Sequence, residues 1–535
     1  MVRMHRILCH LRVPAGALAG LVLLAACNLS PSHDIAASPA APVAMVPAAP
    51  VPAATPRAQN AVSPLVDDIE HRAFNYFWEL GKPATGLVPD RWPTPSFSSI
   101  AAVGFGLTSY GVGAERGWIS RDQAIDRTLA TLHFFDKAPQ GDAAVGMTGS
   151  HGFFYHFLDM DSGARFGTNE LSTVDTTLLL GGVLFSQSYF DRADPREVEI
   201  RALAERIYRR VDWTWPRPRA PKIAMGWTPE HGMHGYDWSG YNEAQLVYIL
   251  ALGSPTHPVS RDAYQAWTAT YDKTWGTFQG QEHLSFPPLF GHQFSQVWLD
   301  LRGVQDDYMR RRGIDYFENS RRATLSQRAY AIANPMHWKG YGADIWGLSA
   351  SDGPVDATVS YDGEPRLFRT YSARGAGLEY PFDDGTIAPA AAAGSMPFAP
   401  EIVAPTLEAM HARYGKQAYG QYGFMEAINP SFDFKDVKLH HGKIVDGVWV
   451  DGDWLGIDQG PIVLMIENHR SGLVWELMRR NPHIVRGLKR AGFRGGWLDA
   501  LPTDSADIGD RAQAAAPAPA SAPPVQATPA AATRH

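Results

Sequence analysis

Cysteine is almost missing from this chain: Cys9 and Cys27 are the only two, and both stand before residue 28. Whatever folds beyond them has neither a disulfide nor a thiol nucleophile, so its own core must hold it together. At 535 residues the chain is long enough to bury a large one. A basic block is missing too. The 48 Lys and Arg and 55 Asp and Glu leave a formal charge of -7 spread along the chain. Phosphate neutralisation needs clustered cations, which argues against nucleic acid as a partner. There is no G-x-S-x-G elbow, no H-E-x-x-H pair and no cysteine pair for zinc. The Gly-rich stretches "GVGAERG" and "GFGLTSYG" carry no lysine to hold a phosphate. In "HGFFYHF" His151 and His156 stand five apart, a spacing that suits neither one helix face nor one strand face. The expectation is therefore no metal and no cofactor, with chelators leaving any activity unchanged.

A long apolar run is absent as well. Arg3, Arg6 and Arg12 precede "AGALAGLVLLAAC", which is too short for a convincing membrane span and reads as a signal peptide over 1–27. The run ends in Leu24-Ala25-Ala26-Cys27, which resembles the lipobox of bacterial lipoproteins. That resemblance implies cleavage before Cys27, a lipid on its thiol, and an exported periplasmic protein that meets a membrane only through this lipid. Asn28, standing where an Asp would signal retention, favours the outer membrane by the same resemblance.

Aromatic residues and glycine are plentiful: 16 Trp, 20 Tyr and 50 Gly. Flat rings presented from loops suit sugar-binding clefts, although rings fill cores as readily. Residues 28–62 are Ala/Pro-rich without apolar periodicity and read as a disordered tether, and residues 502–535 have the same character. Between them, 63–501 reads as one large domain.

Helical patterns recur through that domain. Some are charged on one face, as in "RDQAIDRTLATL" and "PREVEIRALAERI". Others are apolar nearly all round, as in "TLLLGGVLF" and "AQLVYILALG". A helix apolar all round must be buried, and an amphipathic one covers it. Alternation of the two kinds predicts an all-α fold, an (α/α)6 barrel of inner and outer helices, with long loops forming a cleft on one face. A plain multi-helix bundle is the competing architecture.

In such a ring the loops entering the inner helices open on one side, and several carry acids. Glu243 heads the apolar stripe of "NEAQLVYILALG", with Asn242 as its expected N-cap. Asp458 stands before Pro461, a residue favoured at the first helical position. Glu170 and Asp175 flank a Ser/Thr helix start, and Asp90 and Arg91 precede "SIAAVGFGLTSYG". Each has a structural reading. Asp175 is three residues after Ser172, a capping-box spacing. Glu243 could serve the helix macrodipole, a field that would lower its pKa. Asp458 could be a turn residue.

Two opposed carboxylates between aromatic walls are what glycoside hydrolysis requires. Arg91, Asn319 and Asn468 could donate hydrogen bonds to hydroxyls, and Trp238, Tyr241 and Trp298 could stack on pyranose faces. Asp90, His151, Asp384 and Glu467 complete the candidates for substrate contact.

The ordered motifs "TGLVPDR", "HGFFYHFLDMDSGAR", "ELSTVDTTLLLGG", "GYNEAQLVYILALGSPTHP", "FENSRRAT", "DDGTIAPAAAAGSMPFAP" and "IDQGPIVLMIENHRSGLVW" together resemble the bacterial glucoamylase-like family. That family includes the endo-β-1,2-glucanases of glycoside hydrolase family 144. The resemblance implies an (α/α)6 barrel and an inverting, endo-acting attack on β-1,2-glucan that releases sophoro-oligosaccharides. It also implies that Glu243, the glutamate of "GYNEA", is the general acid. Asp458 is the first choice for the base, with Glu170 and Asp175 behind it. Competing functions are a hydrolase or transglycosylase for another glucan linkage, a lyase on the same barrel, and a glycan-binding lipoprotein without catalysis, since fold does not fix linkage.

Overall fold

A computed structural model describes residues 59–379 and 381–501. The signal segment with Cys27, the tether up to residue 58 and the tail after 501 lie outside the described residues.

Local chemistry sets most helix boundaries. α1 (Pro64–Leu80) begins with Pro at its first position behind the Ser63 cap. α2 (Ile100–Arg116) is capped by Ser99 and stops at Gly117, whose left-handed backbone (φ 73°) ends the helix without steric cost. α3 (Arg121–Lys137) carries a full capping box between Ser120 and Gln123. Ser172 caps α4 (Thr173–Tyr189) and Asp194 caps α5 (Pro195–Arg210). There follow α6 (Gln245–Gly253), α7 (Arg261–Thr268), α8 (Phe290–Trp298), α9 (Asp307–Arg312), α10 (Tyr316–Ala333), α11 (Pro389–Ala393), α12 (Pro400–Ala418) and α13 (Gly456–Arg470). The expected single helix over "PIVLMIENHRSGLVWELMRR" is two, because Gly472 (φ 68°) separates α13 from α14 (Leu473–Met478).

Burial sorts these helices into two kinds. α2, α4, α6, α8, α11 and α13 are enclosed along nearly their whole length, whereas α1, α3, α5, α7, α10 and α12 each keep an exposed face. With the short α9 set aside, covering and enclosed helices alternate along the chain. α2 and α4 touch backbone to backbone. A Cβ on Gly104 would stand 2.2 Å from the Leu178 carbonyl oxygen, and one on Gly182 would stand 2.1 Å from that of Gly104. The last enclosed helix, α13, packs on α2, α8 and α11, and against α1 from the first pair.

The structure departs from the all-α expectation in the connections. Segments before the enclosed helices fold into two- and three-stranded sheets whose strands are two to five residues long. Arg91–Trp92 pairs with Trp454–Leu455, which ties the entrance of α2 to that of α13. Ala350–Asp352 pairs with Tyr371–Ala373. Strands this short show no alternation that a sequence could betray. Among the described residues no helix is long and apolar enough to cross a membrane.

Candidate active site

Glu243 lies in the turn that leads into α6, not in the helix itself. The helix starts at Gln245, and Asn242 acts one step earlier than a cap, its side-chain oxygen accepting from the Ala244 N–H at 3.0 Å. Ser295 of α8 holds the turn by donating to the Glu243 carbonyl at 2.6 Å. The residues just before Glu243 include two buried rings. The Trp238 indole donates to Thr173 at 2.9 Å, and Tyr241 stacks on Tyr316 with centroids 5.8 Å apart. Both rings are over nine-tenths buried. Glu243 Oε2 is buried without a hydrogen-bond partner. Burial pushes the carboxyl up to about 7, and the charge of Asp175 adds to this, against a smaller backbone hydrogen bond. The lowering expected from a helix N-terminus is outweighed.

Next to it, the entrance of α4 brings Asp175 and Glu170 to one histidine. His156 Nδ1 meets Glu170 at 2.9 Å, and its Nε2 lies 3.4 Å from Asp175. Asp175 is held by the Ser172 hydroxyl, and its own N–H donates back to Ser172 at 3.2 Å. The capping role and a place in the site therefore coexist. Burial works against a charged His156, yet Asp175, Glu170 and Asp90 raise it to about 9. Burial likewise works against a charged Glu170, but its hydrogen bond to His156 brings it below the usual range.

At the entrances of α2 and α13 the acids crowd. Asp458 is in the first turn of α13, which begins at Gly456, so Pro461 falls inside the helix and not at its start. The Gly456 N–H donates to the Asp90 carbonyl at 2.9 Å. Arg91 reaches Asp352 at 2.7 Å, Asp90 at 3.5 Å and Asp453 at 3.7 Å. Glu426 accepts from the Asp352 N–H at 2.9 Å with one oxygen, and its other oxygen is buried and unpartnered. Burial first, then Asp352, Asp451 and Asp90, drive Asp458 well above the usual carboxylate range, with Arg91 opposing. Glu426 is raised in the same way. The protons belong to the cluster, not to one residue.

Tyr371 joins the two groups of acids. Its register partner is Asp352. Its phenol is raised by desolvation and then by the charges of Glu426, Asp352, Asp458 and Glu243, while its ring stays half exposed. The charges of Glu243 and Asp458 thus both act on the Tyr371 ring.

Several expected sugar contacts lie elsewhere. Trp298 is fully buried at the C-terminal end of α8, stacked on Phe105 at 5.2 Å. Asn319 is fully buried and brackets Leu284, accepting from its N–H at 2.7 Å. Asn468 donates to the Val297 carbonyl at 3.0 Å. Glu467 forms a two-pronged pair with Arg116 at 2.7 and 2.8 Å. Helices rise 1.5 Å per residue, so Glu467 is about 13 Å along α13 from Asp458. Asp384 is sealed against Arg374, both fully buried. His151 stacks on Trp215 at 4.4 Å in an exposed turn. Trp238 and Tyr241 are over nine-tenths buried, with little ring surface left for a sugar. His151 apart, these residues fill cores because apolar helices draw in every ring and amide they can satisfy, which composition cannot reveal.

Residues that sequence reasoning missed include His156, Asp352, Tyr371, Glu426, Asp451, Asp453 and the exposed ring of Trp92. One signal was visible: Asp451 and Asp453 alternate in "DGDWL", a spacing that puts both on one side of an extended segment. Asp352, Tyr371 and Glu426 come from segments without periodicity, and only their pairing unites them.

The family model described as "Putative glucoamylase" matches residues 235–482. The exo β-1,2-glucooligosaccharide sophorohydrolase (non-reducing end) of Parabacteroides distasonis is 28% identical over 459 residues, covering 80% of this chain and 57% of that protein. The chain thus spans little more than half the length of that relative. Among solved structures, a "putative glucoamylase" from Bacteroides caccae is 31% identical with a TM-score of 0.68, over 81% of this chain and 99% of that one. The endo-β-1,2-glucanase from Chitinophaga pinensis, in complex with sophorotriose and glucose, is 29% identical with a TM-score of 0.68, over 82% of this chain and 100% of that one.

Proposed function

The chain belongs to the glucoamylase-like family, and from that premise we propose that it is an endo-acting, inverting hydrolase of β-1,2-glucan built on an (α/α)6 barrel. The alternation of covering and enclosed helices, with the last enclosed helix against the first pair, supports the barrel. One observation carries the activity: a buried carboxyl with an unpartnered oxygen, Glu243, acts on the same Tyr371 ring as the acids around Asp458.

In this reading Glu243 is the general acid. A value of about 7 leaves about half of it protonated at neutral pH, and its proton passes to the glycosidic oxygen as the C1–O bond breaks. Water attacks C1 from the opposite face and loses a proton to Asp458. The raised pKa of Asp458 makes it a stronger base once ionised. A sugar hydroxyl donating to it would favour that ionised form. Arg91 steadies the cluster by pairing with Asp352 and Asp453, so that repulsion among the acids does not splay the site. Trp92 and Tyr371, both exposed at the rim, supply the stacking faces. Asp175 and Glu170 hold His156 and shape the field at Glu243, which ranks them behind Asp458 as the base.

The signal segment and Cys27 extend the proposal to a lipoprotein of the outer membrane that meets its glucan outside the cytoplasm. The test is product analysis on linear β-1,2-glucan. Sophoro-oligosaccharides of several lengths, released first as the α-anomer, are expected. Their absence would end the claim on linkage, sophorose alone would make the enzyme exo-acting, and β-anomers would end inversion.

A further inference from the structure

We propose that Asp352, His441 and Asp451 bind a first-row divalent cation, zinc or manganese by the chemistry of the donors. One donor atom from each of the three lies within 4.8 Å of the others. They come from separate stretches of chain. Asp352 ends the strand Ala350–Asp352, His441 precedes the strand Lys443–Val445, and Asp451 follows the strand Val448–Val450.

Acids in a group are not a site on their own, but here His441 and Asp451 each keep a buried atom without a hydrogen bond, while Asp352 is shared with Arg91 at 2.7 Å. Asp451 is 2% exposed; one of its oxygens accepts from the Asp453 N–H at 3.0 Å, and the other has no hydrogen-bond partner. His441 Nε2 and Asp453 Oδ2 are likewise buried without a hydrogen bond. Native interiors seldom leave such atoms unsatisfied.

Their spacing narrows the explanation. His441 Nε2 stands 3.4 Å from Asp451 Oδ2 and 3.3 Å from Asp453 Oδ2. An imidazolium has a single N–H at Nε2 and would draw one oxygen to hydrogen-bond distance, leaving the other. The separation from Asp451 suits instead a point charge seated between His441 Nε2 and Asp451 Oδ2, with Asp352 as the third donor. Tetrahedral bonds of about 2.0–2.1 Å place neighbouring ligands about 3.3 Å apart. Two carboxylates and an imidazole favour zinc or manganese, whereas calcium prefers an all-oxygen shell.

Charge points the same way. Asp352, Glu426, Asp451, Asp453 and Asp458 converge here, and the cations that face them are Arg91, on Asp352 and Asp453, Arg374, whose charge acts on Glu426 and Asp352, and His441 between Asp451 and Asp453. A bound cation would join three loops that border the proposed base. This departs from the metal-free reading of the sequence, because the donors come from segments that no spacing rule connects.

The test does not depend on sugar chemistry. Full-length protein purified without immobilised metal is dialysed against EDTA, then exposed to zinc or manganese chloride, with calcium and magnesium as controls. Bound metal is measured after gel filtration, and unfolding is followed by heat. About one equivalent of zinc or manganese per chain is expected, with a melting temperature several degrees higher. His441→Gln, at a partly exposed position, should abolish both effects while leaving the circular dichroism spectrum unchanged. Asp451→Asn should also lose the metal. No retained metal in the wild type, or equal retention by wild type and His441→Gln, overturns the proposal. β-1,2-Glucan hydrolysis measured on the same samples reports separately on the proposed function.

Discussion

The two ends of α13 carry the same chemistry to opposite results. At its N-terminal end Asp458 stands among other acids, and the guanidinium that pairs with them, Arg91, is divided among several. At its C-terminal end Glu467 is fully buried where Asp458 is partly exposed, yet Arg116 answers both of its oxygens, and Arg470 next along holds Glu70. Both acids interrupt an apolar helix. The difference is the supply of cations. Where each carboxylate has its own guanidinium the result is a fastening, and where acids outnumber guanidinia the result is a set of displaced protonation equilibria, which is what acid–base chemistry uses.

Substitutions that remove one charge at each end should separate the two roles. The largest effect is expected for Glu243→Gln. It keeps the shape and removes the proton donor, so kcat on β-1,2-glucan should fall about 10²–10⁴-fold, with no loss of melting temperature. Unfolding without a specific loss of kcat would mean that Glu243 only shapes the turn. Asp458→Asn should give a loss of the same order if Asp458 is the base.

Glu467→Gln should behave the other way round. Arg116 would be left buried and half-answered, costing about 3–5 kcal/mol in a denaturant titration. Turnover per folded molecule should stay at the wild-type level. A large kcat effect would break the contrast between the two ends.

The third prediction concerns pH. Glu243 is raised to about 7 in the folded protein and titrates at about 4.3 when unfolded. Between those values the unfolded chain releases this proton and the native chain keeps it, so Glu243 favours the fold below pH 4.3 and progressively less up to 7. Wild type should therefore lose stability relative to Glu243→Gln as pH rises through this window, with the difference constant above it. A flat difference would show that the carboxyl is not desolvated. The smallest effect is expected at the rim: Tyr371→Ala should raise KM about 3–10-fold through lost stacking, with the melting temperature little moved. Trp298→Phe, in the core, should leave KM alone.

Much of the scaffold was legible. Caps such as Ser63, Ser99, Ser120 and Asp194 and apolar runs such as "TLLLGGVLF" locate α1 to α5 within a residue or two, because helix starts are decided by side chains close in sequence. The heads of α6 and α13 were misplaced. Asn242 bonds one residue early, and Pro461 is tolerated inside a helix whose neighbours fix it. Rings were the hardest to sort. Trp298 and Trp92 differ in nothing local that would tell a core indole from an exposed one.

The sequence alone determined which segments are helical, which of them must be inside, and that acids sit at the heads of the inner ones, since each follows from periodicity and capping within a few residues. Only the tertiary structure decided which acids share a cleft, which have a guanidinium to themselves, and which side chains from strands too short to read, Asp352, Tyr371 and Asp451 among them, complete the site. Charge interactions depend on distance in space and on burial, and neither is a property of neighbours along the chain.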